Sequence, residues 1–321
     1  MHFFVLLLLG VLFVAPPSSA WAASCCGGGS STSFILPIDA PLMVGLAMDQ
    51  ETYDGLWRSD GTWVPDPEGS DLKQYRLNAG IAYRLADHWQ GSLIVPYVWN
   101  QNDYSSISSS TSGLGDTKLT LWYETFDNAM CVYRVRELRD LIPAVYLGGT
   151  LTIPTGISPY DDVTDNFDIT GRGFYRLDFN FLADKTVYPW TGNIRFTYGR
   201  YLERSVNSEY GTYVEPYQKQ LGDRSNFSLT GGYIYFTEKL HELTMTIGYN
   251  NLHESETEID GVKDETSGFR KQSITLGLVW STPQKNWIAK INWNHAINAD
   301  DWGYNFPTTE IISIGVQHVF L

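Results

Sequence analysis

The chain has 321 residues, a formal net charge of −14 and 14 % aromatic residues, and its mean hydropathy is −0.20. No basic cluster is present to neutralise phosphates, so we expect no nucleic-acid partner. A membrane-spanning helix needs about 20 consecutive apolar residues, and no segment beyond the N-terminus has them. The composition therefore excludes a helical membrane bundle. Its many tyrosines and tryptophans are typical of the interfacial girdles of a membrane β-barrel.

The N-terminus has the pattern of an exported protein. An unbroken apolar run covers residues 3–15, and Ala20-Trp21-Ala22 follows as a cleavage-site pattern. An apolar run of about 13 residues is too short to span a bilayer and is typical of a secretory signal. We predict a signal peptide over 1–22, a flexible Cys/Gly/Ser leader over 23–41 and one barrel domain over 42–321.

The leader contains the adjacent residues Cys25 and Cys26. Cys25 could become a lipidated first residue, although Ala22-Ala23-Ser24 lacks the leucine usually found three positions before such a cysteine. The pair could instead form a strained vicinal disulfide or hold a soft metal ion, or it could have no role. The third cysteine, Cys131, falls in a predicted connection, so the sequence implies no disulfide framework.

From Leu42 onward, apolar residues alternate with polar or small residues in one segment after another. A period of two is that of a β-strand, whose successive side chains point to opposite faces. About twelve segments have the tilted length that a bilayer requires, roughly 9–11 residues or somewhat more. We therefore predict an all-β fold, a transmembrane antiparallel up-and-down β-barrel. The segments lie near 42–51, 74–85, 89–99, 118–125, 144–153, 174–181, 193–198, 223–237, 240–253, 268–281, 286–297 and 309–321.

The connections between these segments alternate in length. Short turns are predicted at 86–88, 184–188, 238–241 and 283–285, and long acidic or Ser/Gly-rich loops at 55–71, 102–115, 155–171, 202–222 and 255–267. Short periplasmic turns and long outer loops are the expected asymmetry of an outer-membrane barrel. The link 127–141 is the exception, a longer connection on the periplasmic side. An even number of strands puts both termini in the periplasm.

Charged residues within the strands share the polar face. An Arg or Lys side chain that faces lipid near the midplane of the bilayer costs about 2–4 kcal/mol. The polar face is therefore predicted to line the lumen. There, Arg176 and Asp178 are predicted to face Arg195 on the next strand, with the Asp178 carboxylate forming ion pairs with the arginines. A barrel of about twelve strands falls between the filled eight-stranded kind and open porins, so its lumen could be mostly filled. The predicted lumen-lining residues are Arg76, Arg84, Lys118, Glu124, Arg176, Asp178, Arg195 and Lys290.

Three short motifs lie near the middle of the chain: Val95-Pro96-Tyr97, Gly113-Leu114-Gly115-Asp116 and Leu151-Thr152-Ile153-Pro154-Thr155-Gly156. Together they resemble the outer-membrane barrels of the phenol meta-cleavage (MetA) pathway transporter family, which are similar in architecture to the long-chain fatty-acid channels. The similarity covers residues 72–200 by motif. It implies passive uptake of small, often hydrophobic molecules, and it supplies no catalytic residues. The final strand, with Phe320 near its end, resembles the signal read by the barrel-assembly machinery.

We therefore expect a monomeric channel in the outer membrane of a Gram-negative bacterium, passing small neutral or hydrophobic solutes. Its expected partners are outer-membrane lipid, the barrel-assembly machinery and the solute, and no cofactor is expected. One alternative is a closed structural barrel, or one that binds a partner. The other is an outer-membrane lipase or protease, for which His253-Glu254-Ser255 and His295 with Asp300-Asp301 are the only material. No nucleophile motif surrounds these residues, so we expect no enzyme.

Overall fold

The computed structural model describes residues 34–37, 40–53, 55–57, 62–104, 107–125, 131–164, 168–265, 267–300 and 310–321. The predicted signal peptide, Cys25 and Cys26 lie outside these residues. Strands dominate the described part of the chain, with a short 3-10 helix at Leu138–Leu141. Within the same residues, no helix is long and apolar enough to cross a membrane.

Twelve antiparallel strands form a closed barrel, which confirms the predicted fold. Each strand pairs with the next one in the chain, and the last pairs with the first, from Leu42 opposite Phe320 to Thr52 opposite Glu310. The topology is therefore up-and-down. The strands are β1 Leu42–Tyr53, β2 Asp71–Ala86, β3 Trp89–Tyr104, β4 Thr117–Glu124, β5 Ala144–Ile153, β6 Arg176–Val187, β7 Trp190–Tyr201, β8 Arg224–Phe236, β9 Glu242–Glu254, β10 Phe269–Ser281, β11 Trp287–Asp300 and β12 Glu310–Phe320.

The two faces of the barrel wall differ in polarity, as the alternation requires. On β6, the outward side chains of Leu177 and Phe179 are 54 % and 52 % exposed, whereas the inward Asp178 and Asn180 are 8 % and 7 % exposed. An apolar outer surface and a polar interior are the reverse of a water-soluble sandwich and are typical of a barrel in lipid.

The two ends of the barrel also differ. At one end, here called the turn end, the connections 87–88, 188–189, 237–241 and 282–286 are short, and the link 125–143 is longer. At the other, the loop end, the connections 54–70, 105–116, 154–175, 202–223, 255–268 and 301–309 are mostly long. Leu42 and Phe320 both lie at the turn end because they face each other across the paired strands β1 and β12.

The loops predicted at 202–222 and 255–267 contain strands of their own. Two hairpins, Arg204–Glu209 with Thr212–Gln220 and Thr257–Ile259 with Val262–Asp264, join into a four-stranded sheet at the loop end. Tyr210-Gly211 and Asp260-Gly261 form their turns, with positive φ at all four residues. Two-residue turns of this kind match the twist of the flanking strands, and glycine adopts them without a steric penalty.

The link at the turn end is tied to the barrel wall. Cys131–Val132 pairs in parallel with the end of β6 at Thr186 and Val187. Cys131 is also disulfide-bonded, a bond that the spacing of the cysteines in the sequence did not indicate. The chain has only two other cysteines, Cys25 and Cys26. Their positions in the leader gave no indication of a partner, because sequence spacing does not report which segments meet in space.

Candidate functional site

The turn end of the lumen is filled by the segment that precedes β1. Phe34, Ile35 and Leu36 are only 2 %, 4 % and 0 % exposed. Phe34 and Leu36 pack with Ala40 against inward apolar residues of β1, β2, β3, β10, β11 and β12, and Ile35 packs against those of β4, β5 and β6. We call residues 34–37 with Ala40 the N-terminal plug. This part of the predicted flexible leader is packed inside the barrel.

The ring of Phe34 occupies a gap left by two glycines. Gly45 of β1 lies directly opposite Gly80 of β2. A Cβ added at Gly80 would lie 2.3 Å from the Phe34 ring, and one at Gly45 would lie 2.9 Å from it. Both distances are shorter than a carbon–carbon contact allows, so the absence of side chains at these two positions makes room for the ring.

Polar contacts fix the plug backbone to the barrel wall. The Arg84 guanidinium donates to the carbonyl oxygens of Pro37 at 2.9 Å and Ala40 at 3.2 Å. The backbone N–H of Leu36 donates to Gln90 Oε1 at 2.6 Å, and Gln90 Nε2 donates to Glu124 Oε1 at 2.6 Å. Arg84 and Glu124 also form an ion pair at 3.2 Å. Two of the predicted lumen-lining residues, Arg84 and Glu124, thus hold the plug.

Between the plug and the loop end lies a cavity of about 600 Å³. Among the described residues that line it, basic side chains outnumber acidic ones, although the chain as a whole is strongly acidic. Two of the four acidic residues come from β1, and all the basic residues come from other strands or from the loop before β6. The basic residues are Arg76, Lys118, Arg172, Arg176, Arg195, Arg224 and Lys271, and the acidic ones are Asp49, Glu51, Asp116 and Asp178.

Arginines gather on one wall of this cavity around the hydroxyl of Tyr201. Arg172 and Arg176 each donate from Nη1 to Tyr201 Oη at 3.0 Å. Arg176 pairs with Asp178 at 2.6 Å, and Arg172 pairs with Glu254 at 2.6 Å. The shared phenol oxygen and the carboxylates hold the guanidiniums in fixed positions, with several donors directed along defined lines.

Arg224 and Arg76 complete the set of held guanidiniums. Arg224 lies 3.5 Å from the same Glu254 that Arg172 engages. Arg76, on β2, pairs with Glu51 at 2.8 Å. Beside that pair, Asp49 accepts hydrogen bonds from Asn78 at 2.7 Å and Ser313 at 2.6 Å. The carboxylates of β1 are therefore already occupied by neighbouring donors.

Two further predicted lumen residues, Arg195 and Lys290, lie nearer the turn end. Arg195 lines the cavity, but it lies opposite Leu182, whereas Asp178 lies opposite Gly199. The ion pair of Asp178 is with Arg176 on its own strand. Lys290 has the inward phase of Ile288 on β11 and lies opposite Val279, outside the cavity wall. The alternation of polar and apolar residues predicted which side chains point inward. It did not predict which residues face each other on adjacent strands, because that register depends on the geometry of the turns.

The histidines considered for an enzyme are on the outer face. His253 pairs in register with Arg270 and is exposed. His295 Nδ1 lies 3.2 Å from Glu310 Oε1, and its ring stacks on Trp293. Both side chains therefore point away from the cavity. The lipidation or metal roles considered for Cys25 and Cys26 stay predictions.

No family model and no curated protein matches the sequence. Solved structures do match, and an outer membrane channel from Pseudomonas putida F1 is 14 % identical with a TM-score of 0.65, covering 91 % of this chain and 99 % of that one. The beta domain of the Bordetella autotransporter BrkA is 10 % identical with a TM-score of 0.48, covering 88 % and 100 %. The NanC porin is 11 % identical with a TM-score of 0.41, covering 87 % and 100 %.

These observations define the class of the protein. A closed barrel of twelve meandering strands, apolar outside and polar inside, has the fold of an outer-membrane β-barrel, and it shares that fold with the Pseudomonas putida channel. An apolar outer surface around a polar interior is typical of this class of membrane barrel. The resemblance to the phenol meta-cleavage transporter family stays a prediction, since no family model matches.

Proposed function

We propose that this protein is a passive outer-membrane channel for small polar solutes, with its loop end outside the cell and its turn end in the periplasm. The observation that carries the proposal is the cavity of about 600 Å³ inside the closed barrel. Its wall offers hydroxyl, amide, guanidinium and carboxylate groups, which can replace the hydration of a polar solute as it passes. Passage of this kind needs no catalytic residue.

The wall favours polar solutes over the hydrophobic ones that the sequence resemblance implies. Apolar residues such as Ile94, Leu252 and Ile311 are separated by Asn, Ser, Thr and charged side chains along the cavity. A hydrophobic solute would have to displace water from those polar groups without replacing the lost hydrogen bonds, which is unfavourable. Neutral hydrophilic and zwitterionic molecules fit the wall better.

The plug supports a second candidate, a closed barrel with a structural or partner-binding role. The test is solute-driven swelling of liposomes that contain the purified protein, measured for the unmodified chain and for Phe34→Ala/Leu36→Ala. This double variant removes the two apolar side chains that pack against β1–β3 and β10–β12, and it leaves the barrel wall intact. For a channel, we expect slow swelling in small amino acids and sugars, with a several-fold faster rate in the variant.

Swelling in neither protein, when both are folded, would contradict the channel and favour the closed barrel. Heat-dependent migration on a denaturing gel reports folding of each sample. Faster protein-dependent swelling in a water-soluble aromatic solute than in an amino acid, after subtraction of the rate of protein-free liposomes, would contradict the preference for polar solutes.

A further inference from the structure

One basic side chain of the cavity differs from the others. Lys118 lies on the inward face of β4, between Ile94 of β3 and Thr152 of β5 in register. It lines the cavity and is exposed to it. Within the described part of the chain, no hydrogen bond or ion pair engages its ammonium. The ammonium therefore has three free donors directed into the lumen.

The neighbours of Lys118 are mostly of the same charge. Arg176, Arg76 and Arg224 all act electrostatically on its ammonium, opposed by Asp178. Like charges gathered in a lumen that is enclosed by protein repel one another more strongly than in bulk water, because the surrounding dielectric is lower. A bound anion would remove this repulsion.

Among the described residues, three carboxylates pair with the arginines near Lys118. Asp178 is held by Arg176, and Glu51 is held by Arg76. Glu254 is shared between Arg172 and Arg224. Three carboxylates therefore serve four arginines, and Lys118 adds a further positive charge.

A fourth carboxylate, Asp116, is also within electrostatic range of Lys118. Its oxygens accept backbone N–H groups, from Gly156 at 3.3 Å and Arg172 at 2.9 Å. This carboxylate therefore fixes the loop that carries Arg172. Asp49, beside Arg76, is a fifth carboxylate. Of the residues that the structure describes, the seven basic side chains that line the cavity still outnumber these five carboxylates, so the lumen keeps an excess of positive charge.

We propose that Lys118, with the held guanidiniums of Arg76, Arg176 and Arg224, forms a binding site for one small solute through its carboxylate or phosphate group. Guanidiniums that are already fixed by Asp178, Glu51 and Glu254 lose little conformational entropy when an oxyanion arrives, and the N–H groups that these carboxylates leave free can donate to it. The ammonium of Lys118 supplies the mobile contact. The inference rests on the proposed channel and names the class of solute that it selects, namely small anions and zwitterions.

The experiment measures binding without transport. The purified full-length protein in detergent is titrated with sodium phosphate and, separately, with sodium acetate, at constant ionic strength maintained with chloride, in a calorimeter. We expect one saturable site for at least one of the two anions, and the anion with the higher affinity identifies the preferred group. Lys118→Gln should weaken that binding by about tenfold or more, the size of one lost hydrogen bond between charged groups.

Lys239→Gln is the matched control. It removes the same charge from an exposed turn outside the lumen, so its affinity should equal that of the unmodified protein. Circular dichroism and heat-dependent gel migration show that each variant is folded. Equal affinities for all three proteins, or no saturable binding of either anion, would overturn the site.

The binding result separates the two proposals. One outcome is that the unmodified protein binds phosphate or acetate, Lys118→Gln does not, and neither causes liposome swelling. This outcome would overturn the channel and support the anion site. Swelling that is unaffected by Lys118→Gln, together with no anion binding, would overturn the site and support the channel alone.

Discussion

The glycines Gly45 and Gly80 show how two missing side chains determine what occupies the lumen. They face each other on adjacent strands, and the ring of Phe34 lies over both. Strand interiors usually disfavour glycine, because it costs more conformational entropy and packs nothing. Here the cost is offset by the close approach of an aromatic ring.

We expect Gly80→Ala to displace the plug. The new Cβ would meet the Phe34 ring at 2.3 Å, and the ring, as the end of a side chain, is the group that can move. Overpacking of this kind costs typically about 1–3 kcal/mol, which the native arrangement can recover by releasing Phe34. Single-channel recordings in planar bilayers should therefore show a higher open fraction for the variant.

Gly231→Ala is the control for that measurement, because a Cβ there meets no atom within 4 Å. It makes the same chemical change on β8, six strands away in the barrel wall and on its outward face. If both variants behave like the unmodified protein, the ring of Phe34 does not limit passage.

For each strand, the side chains that point into the lumen were predictable from the sequence. The pairing of residues across neighbouring strands was not. Alternation over β6 fixes that Arg176 and Asp178 point inward, since a shift by one residue would place both in lipid. The partner across the strand pair depends on the turn at 188–189, and Arg195 falls opposite Leu182 instead of Asp178. Because the register was not predictable, the sequence indicated that the charged residues of the proposed anion site point inward, but not which of them lie close together.

The plug and the loop-end sheet were harder to foresee. Phe34, Ile35 and Leu36 are consecutive apolar residues without a strand period, and what they pack against is set by the interior of a closed barrel. The hairpins of 204–220 and 257–264 pair with each other through Lys219 opposite Ile259 and Gln220 opposite Glu258. Such pairing between distant loops leaves no local pattern.

The two ends of the barrel should differ in their accessibility to trypsin. Lys263 lies in a loop-end hairpin with its side chain 62 % exposed, and Lys239 lies exposed in a turn-end connection. Trypsin added to intact cells should cut after Lys263 and spare Lys239, as followed by mass spectrometry of the fragments.

The matched control for trypsin uses cells whose outer membrane has been permeabilised, in which Lys239 should also be cut. Cleavage after Lys239 but not Lys263 in intact cells would mean that the barrel is inserted in the opposite orientation.

For the whole molecule, the sign of the charge changes between the surface and the interior. The chain carries a net charge of −14, whereas basic side chains dominate the described cavity wall. A cation is attracted to the acidic exterior and repelled by the lumen, and an anion meets the two fields in the opposite order. Simple salts should therefore be conducted poorly.

Replacing Arg176 and Arg195 with Ala should raise cation conductance. The double variant removes two lumenal positive charges and releases Asp178 from its ion pair. The reversal potential in a gradient of potassium chloride should shift toward that of a cation-selective pore.

Arg200→Ala/Arg270→Ala provides the comparison, because it removes two charges from exposed positions on the outside of the same wall. Its selectivity should equal that of the unmodified protein. A large, strongly cation-selective conductance before any substitution would contradict the argument.

The seam between β1 and β12 also has a consequence for the time course of folding. It pairs Leu42 with Phe320 and Thr52 with Glu310. The barrel therefore closes through residues whose separation along the sequence is almost the full length of the barrel domain. Until β12 is available, β1 keeps a row of unpaired backbone groups that a bilayer interior cannot hydrate. The strands therefore cannot settle in lipid one by one as they emerge. Closure must wait for the last strand, and contacts of such long range form slowly.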